Sequence, residues 1–283
     1  MPPTQRGRAA GARKPSPAAP RRPTAIVSLQ DQAAPRHRNW CAYGPSGVGK
    51  TVFAGTAPNG LFLTVDVQGT ESAKMMGSTA KELRVNSWED FLEYNDWICR
   101  SKEASEEFEW VTLDTIDELE ELCWLSQLEN DELKRASKYQ PNKGDYPVVW
   151  RKLREELMRL NRAPINTLYL AHMMHIDRET EDGEDTITLA MPEMGSRKRG
   201  DLSSYFCAQM GLVGYYREVH TEDEGTQRQL MTQSSSRWIA KDRTTTFGAG
   251  IVNPTVPSML AAIEAKANGM TAARPRRAVR RAR

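Results

Sequence analysis

The sequence has few cysteines and no long apolar run, and each absence excludes a class of protein. Only four of the 283 residues are cysteines. They are far apart, without a C-x-x-C pair, so we expect neither a zinc site nor a disulfide framework. No apolar run approaches the roughly 18 residues of a membrane span, and the N-terminus lacks the apolar core of a signal peptide. These absences predict a cytoplasmic protein without membrane contact whose cysteines are reduced.

Acidic residues are almost absent from both ends of the chain. Residues 1–38 contain eight Lys/Arg, seven prolines and one acid, while residues 266–283 contain seven Lys/Arg and no acid. Because the net charge is +2, residues 39–265 carry about −12. We therefore predict two disordered basic tails, 1–38 and 266–283, around one folded domain, 39–265.

Basic arms of this kind favour nucleic-acid phosphates, because binding releases counterions. The alternative is a solubilising tail that contacts the protein's own acidic domain. The candidate DNA contacts in the C-terminal arm are Arg276, Arg277, Arg280 and Arg281.

The most informative motif lies near the start of the predicted domain. Residues 44–51 match G-x-x-x-x-G-K-[ST], the phosphate-binding loop of P-loop NTPases. Its glycines let successive backbone N–H groups turn towards a polyphosphate, Lys50 reaches the β- and γ-phosphates, and Thr51 ligates Mg²⁺. The alternative is a Gly-rich turn before a helix. The predicted ATP-binding residues are Gly44, Pro45, Ser46, Gly47, Val48, Gly49, Lys50 and Thr51.

The residues around the motif support it. Trp40–Tyr43 is a short apolar run typical of a buried strand. A helix is expected to begin near Lys50, and Pro58-Asn59-Gly60 breaks the chain. Strand, glycine-rich loop and helix are the context that the motif requires.

Strands and helices alternate after the motif, which predicts a parallel sheet with helices on both faces. We expect strands at 61–66, 110–114 and 166–172. Helices are expected at 88–98, capped by Ser87, and at about 116–135 and 148–162, with a loop at 137–147. After His172 the pattern changes to a β-hairpin around residues 176–189, a short helix at about 202–209, and strands at 211–219, 229–233 and 237–241. We therefore predict an α/β fold, with antiparallel C-terminal strands added to a mainly parallel sheet in one domain.

Asp114 ends the strand predicted at 110–114. There the side chain emerges at the carboxyl end of a buried parallel strand, beside the phosphate loop, where it can hold Mg²⁺ directly or through water. The alternative is an aspartate that caps the helix that follows.

Five segments together resemble a known family: Tyr43–Thr51, Leu63–Asp66, Thr112–Asp117, Leu170–His172 and Lys241–Arg243. Their order and spacing are similar to those of phage-encoded P-loop ATPases with a RecA-like core. These AAA-type nucleotide-binding proteins include single-strand annealing recombinases of the Sak type. The resemblance covers about residues 39–260 and implies a RecA-like fold, ATP and Mg²⁺ as cofactors, and the host cytoplasm as the location.

The resemblance also implies roles for single residues. His172 matches the position of a polar sensor of the γ-phosphate. Lys241 and Arg243 match a basic finger that RecA-like proteins project into a neighbouring subunit's site, where it stabilises transition-state charge. This implies a homo-oligomer, either a ring or a filament. The alternative for Lys241 and Arg243 is a charged strand end.

One position departs from the family pattern. RecA-like proteins often carry a glutamate two residues after the acid that ends the second strand, and here Asp66 is followed by Gln68. A glutamine can orient water but cannot act as a carboxylate base. Glu71, three residues on, is the candidate substitute. Hydrolysis is therefore expected to be slow or to depend on DNA or a partner.

A basic loop follows the fourth strand, in the region where the family carries DNA-binding loops. It contains Arg197, Lys198 and Arg199 between two glycines, and the alternative is a solvated basic turn. His172 and His175 are three residues apart in the same region. Strand geometry puts them on opposite faces, so we expect no metal site there.

Three functions follow from these observations. The first is an ATPase that acts on single-stranded DNA in phage recombination or replication, with a single-strand-binding or replication protein as a partner. The second is an ATP-switched DNA- or protein-binding module that hydrolyses little, which Gln68 favours. The third is a P-loop kinase, which the trailing antiparallel strands and basic arms fit poorly.

Overall fold

The structure is a computed structural model that describes residues 37–66, 68–130, 143–179, 186–195, 201–221 and 225–269. All of these lie within one compact unit of the chain. Several predicted features lie outside the described residues. They are most of the N-terminal tail, the C-terminal arm from residue 270, the basic loop at 196–200, the hairpin turn at 180–185, and residues 131–142, which include the predicted end of a helix and most of the loop after it.

The chain alternates strands and helices up to its fifth strand and is richer in strands afterwards. In chain order the elements are β1 (Asn39–Tyr43), α1 (Lys50–Ala54), β2 (Gly60–Thr64), α2 (Glu71–Met75), β3 (Lys81–Arg84), α3 (Trp88–Arg100), α4 (Lys102–Glu107), β4 (Trp110–Asp114), α5 (Ile116–Asn130), α6 (Asp145–Leu160), β5 (Asn166–Ala171), β6 (Met173–Glu179), β7 (Thr186–Pro192), α7 (Asp201–Gln209), β8 (Leu212–Thr221), β9 (Gly225–Met231), β10 (Lys241–Asp242), β11 (Gly250–Val252) and α8 (Val256–Ala267).

The described strands form a nine-stranded sheet in the order β11-β9-β8-β1-β5-β4-β2-β3, with β10 also paired to β8. Strands β1 to β5 pair in parallel, and β9, β10 and β11 pair antiparallel. The predicted α/β fold is therefore confirmed. One detail is wrong, because β8 pairs in parallel with β1. The intervening hairpin and α7 supply the long crossover that a parallel pairing needs. β6 and β7 form the predicted hairpin as a separate two-stranded sheet.

Helices cover both faces of the sheet, as predicted. Alternate residues of β1 enter different cores, with Cys41 and Tyr43 on one face and Trp40 and Ala42 on the other. Apolar residues of α3, α5, α6 and α7 fill the first core. Those of α1 and α8 fill the second. The sheet is thus buried on both sides, as its continuous apolar strands require.

Four helices differ from expectation. The short helices α2 and α4 were not predicted. α6 begins at Asp145, three residues before the predicted start, so residues 145–147 are not loop. α8 was not predicted. Its cap, Thr255, accepts from the backbone N–H of Ser258, and its apolar side buries Val256, Met259 and Ile263. α8 reaches Ala267, two residues past the predicted end of the domain.

Three structural facts concern the cysteines, the possible metal ligands and the helix lengths. All four cysteines are free. Within the described ranges, no group of three His, Cys, Asp or Glu side chains is arranged to hold a metal ion. No helix in the same ranges has the length and apolarity needed to cross a bilayer.

Candidate functional site

The predicted site residues follow three neighbouring strands. The phosphate loop follows β1, Asp114 ends β4, and His172 follows β5. β5 lies between β1 and β4 in the sheet, and all three strands are parallel. His172 therefore emerges between the phosphate loop and Asp114, at the edge where α/β sheets bind ligands.

The conformation of the loop depends on its glycines. Gly47 and Gly49 have φ values of 77° and 93°, in the left-handed region that other residues rarely adopt. Gly44 is required for space, because a Cβ there would lie 2.1 Å from the backbone oxygen of Tyr216. The left-handed φ values of Gly47 and Gly49, and the lack of space for a Cβ at Gly44, explain why the loop carries glycine at these positions.

Lys50, at the start of α1, points back into the loop. Its Nζ donates to the carbonyl oxygens of Gly44 at 3.0 Å and Pro45 at 2.8 Å. Burial lowers the pKa of Lys50, while the nearby carboxylates of Asp114 and Asp117 oppose this change. A phosphate would give this buried ammonium a stronger, charged acceptor than two carbonyls.

Thr51 and Asp114 are in direct contact. The Thr51 hydroxyl donates to Oδ2 of Asp114 at 2.8 Å. Burial raises the pKa of Asp114 to about 6, although the Thr51 hydrogen bond and the Lys50 charge act to lower it. Next to it, the buried Thr115 hydroxyl has no hydrogen-bond partner. Oxygen donors of this kind fit Mg²⁺, which prefers carboxylate, hydroxyl and water oxygens.

Gln68 and Glu71 lie on the segment that follows β2. The backbone N–H of Gln68 donates to Oδ1 of Asp66 at 3.0 Å, and Glu71 is the first residue of α2. Both side chains are exposed. A Cβ on Gly69 would lie 3.6 Å from Oδ2 of Asp114, so this segment passes beside the candidate metal site. The segment that carries Gln68 and Glu71 therefore lies beside Asp114 at Gly69.

His172 is held by Asp117, which the sequence analysis did not single out. Oδ1 of Asp117 accepts the backbone N–H of His172 at 2.9 Å, and Oδ2 is 2.6 Å from the ring Nδ1. Although burial opposes it, the hydrogen bonds from His172 keep the pKa of Asp117 low. The same contact raises the pKa of His172 against the effect of burial. The sign of this role in the sequence is that Asp117 is an acid in the first turn of the helix that follows Asp114.

Lys241 and Arg243 lie away from this site. β10 pairs with the first residues of β8, at the amino edge of the parallel strands. Nζ of Lys241 donates to the carbonyls of Cys207 and Ala208 at 2.9 Å each, and Arg243 donates to Ala208 at 2.7 Å. Both side chains thus cap the C-terminal end of α7. They cannot reach their own chain's phosphate loop, and a role in a neighbouring subunit stays a prediction.

Arg228 is a second residue that the sequence analysis missed. It lies on β9, and a Cβ on Gly49 would be 2.6 Å from its Nε. Arg228 also lines a cavity of about 390 Å³ beside α1, together with Met76, Tyr216 and Asn253. No local motif marks Arg228, because only the β8–β9 pairing brings it to the loop.

A larger cavity, of about 660 Å³, begins at His172. Its described lining combines carboxylates of α5, including Glu118 and Glu121, with the aromatic rings of Trp124 and Trp150. The candidate DNA contacts at 197–199 and 276–281 lie outside the described residues, so their placement is untested.

A model of one protein family agrees with the geometry of the site. A family model for an AAA domain, AAA_24, matches residues 36–244. The crystal structure of the flagellar accessory protein FlaH from Methanocaldococcus jannaschii is similar over 76% of this chain and 84% of that chain, with 6% sequence identity and a TM-score of 0.37. No curated protein matches in sequence. Since the family model spans most of the chain, including Lys50, Thr51 and Asp114, the chain belongs to the AAA_24 family of P-loop ATPases.

Proposed function

We propose that the chain is a Mg²⁺-dependent ATPase that acts on single-stranded DNA as an oligomer, in phage recombination or replication. The observation that carries the ATPase proposal is the contact between Thr51 and Asp114, beside the buried ammonium of Lys50. It joins an oxygen ligand pair for Mg²⁺ to a cationic loop for phosphates, and both face the same edge of the sheet.

Each residue has a defined part in nucleotide binding. Thr51 and Asp114 would hold the ion, which neutralises phosphate charge when it is bound. Lys50 would exchange the two loop carbonyls for phosphate oxygens, and the loop N–H groups would complete the cradle. The cavity beside α1 is our candidate for the nucleoside, because it adjoins the loop through Arg228.

Hydrolysis needs a group that prepares the attacking water. Gln68 and Glu71 are the candidates, because their segment passes Asp114. Because a glutamine cannot act as a carboxylate base, Gln68 favours the second function, an ATP-switched binding module with little turnover.

The DNA proposal is supported by the charge asymmetry of the chain. The two ends are strongly basic and the domain between them is acidic, so the arms would bind phosphates while the domain repels them. The resemblance to Sak-type recombinases supports the phage role, the cytoplasmic location and a single-strand-binding or replication partner. The oligomer proposal depends on Lys241 and Arg243 as a finger for a neighbouring subunit.

The test is phosphate release with no DNA, with single-stranded DNA and with double-stranded DNA, beside sizing with and without nucleotide. We expect stimulation by single-stranded DNA and a larger species with nucleotide. The Lys50→Ala variant should bind ATP at least about tenfold more weakly, because a charged hydrogen bond is lost. Unchanged ATP affinity and turnover would refute the phosphate-loop assignment. ATP binding without turnover under every condition would favour the switched module.

A further inference from the structure

Asp117 joins the first turn of α5 to the segment that follows β5. One carboxylate accepts two hydrogen bonds from the same residue, one from the backbone N–H of His172 and one from its ring Nδ1. The carbonyl of His172 in turn accepts the N–H of Glu193, at 2.8 Å, after β7. The position and ring orientation of His172 are therefore determined by three contacts from two other parts of the chain.

The charged groups around His172 favour a proton on its ring. Asp117 faces it from α5, and Glu193 adds a further negative charge. Glu118, on the same turn of α5, also interacts electrostatically with it. Burial and the ammonium of Lys50 on α1 act in the opposite direction. The net effect raises the pKa of His172, and the hydrogen bond with Asp117 is the largest cause.

Protonation decides what His172 can offer to a ligand. With Nδ1–H donated to Asp117, a neutral ring has a lone pair at Nε2 and would repel a phosphate oxygen. A protonated ring has a donor and a positive charge there instead. Within the part of the chain that the structure describes, Nε2 makes no hydrogen bond.

We propose that Asp117 is a positioning residue that holds the His172 ring in its protonated form, so that His172 gives a charged donor to the phosphate end of bound nucleotide. This inference rests on the proposed ATP binding. It assigns a role to an acid outside the phosphate loop and the metal ligand pair. His172 emerges between the loop and Asp114, where the terminal phosphate of a nucleotide held by Lys50 and Thr51 has to lie.

The first test measures the proton directly by NMR on ¹³C-histidine-labelled protein. The chain has four histidines, and the His172→Gln variant identifies the signal of His172. We expect His172 to titrate above the ordinary value of about 6.5. Asp117→Asn should lower that pKa by about 1 or more, because the amide carries no charge. Asp177→Asn is the matched control, since it removes the same charge from the exposed part of β6. It should leave the pKa of His172 unchanged. Equal His172 titrations in the wild type and Asp117→Asn would overturn the proposal.

The second test asks whether the phosphate reaches His172, and it needs no variant at Asp117. Saturation with Mg²⁺ and a non-hydrolysable ATP analogue should raise the pKa of His172 further, while ADP should raise it less. If neither nucleotide changes the NMR signals of His172, the phosphate contact is refuted, even if Asp117 controls the protonation of the ring. Absence of nucleotide binding would instead refute the proposed function and leave the first test intact.

A third measurement uses turnover. Wild-type activity should fall as the pH rises through the pKa of His172, and in Asp117→Asn this fall should move to lower pH. In a His172→Arg background, with a permanent charge, Asp117→Asn should change the rate less than about twofold. Equal effects of Asp117→Asn in both backgrounds would mean that Asp117 only stabilises the fold, and would overturn its positioning role.

Discussion

The buried carboxylate of Asp114 should lower the stability of the nucleotide-free protein. Its side chain is 3% exposed, and burial raises its pKa from 3.8 to about 6. An acid that is harder to ionise in the folded state destabilises that state as the pH rises above its unfolded pKa, and the whole cost is present above its folded pKa. Since a tenfold change in an ionisation constant corresponds to about 1.4 kcal/mol, ionised Asp114 costs about 3 kcal/mol at pH 7.5.

The sign of the pH dependence follows from the same raised pKa. Between about pH 4 and pH 6 the unfolded state is ionised while the folded state still holds its proton. The cost therefore falls as the pH decreases, to about half of its value by pH 5. An asparagine at this position still accepts the Thr51 hydroxyl and has no charge to bury. We expect Asp114→Asn to be more stable than the wild type by about 3 kcal/mol at pH 7.5 and by about half of that at pH 5.

Urea unfolding at the two pH values measures this difference. The matched control is Asp242→Asn, because Asp242 accepts from the backbone N–H groups of Thr244, Thr246 and Phe247. That change should destabilise the protein by about 1–3 kcal/mol. Mg²⁺ with ADP should stabilise the wild type and not Asp114→Asn, since the cation favours the ionised carboxylate. An Asp114→Asn protein that is no more stable than the wild type at pH 7.5 would refute the reasoning.

Two further predictions concern hydrolysis and DNA. If Glu71 prepares the attacking water, Glu71→Ala should reduce turnover by about 10²–10⁴-fold while Gln68→Glu has little effect, and the reverse pattern in a rate assay would assign the role to position 68. Ending the chain after residue 269, which leaves α8 complete, removes six arginines and should weaken binding to single-stranded DNA. The slope of log affinity against log salt should also fall, by about 0.7 for each lost phosphate contact. An unchanged affinity and slope would leave the arm with only a solubilising role.

Local patterns predicted much of the fold because their physical causes are local. The Ser87 cap of α3, for example, is confirmed, since Ser87 accepts the N–H of Asp90 three residues on. α8 was not predicted because its apolar side chains are stabilised by packing against the core on one face of the sheet, and the local sequence does not show that contact. The parallel pairing of β8 was also missed, because nothing in its own residues distinguishes a parallel partner from an antiparallel one.

The candidate site also has one part that the sequence predicts and another that depends on the tertiary structure. The sequence by itself determined the phosphate loop, since Gly44, Gly49, Lys50 and Thr51 each meet a requirement of the motif. It also placed Asp114 at the end of a buried strand. Only the tertiary structure decided which side chains meet there. Asp117 reaches His172 through an α5–β5 contact 55 residues apart in sequence, and Arg228 reaches Gly49 through the pairing of β8 with β9. Such contacts depend on strand order and register, which long-range packing determines and local sequence does not encode.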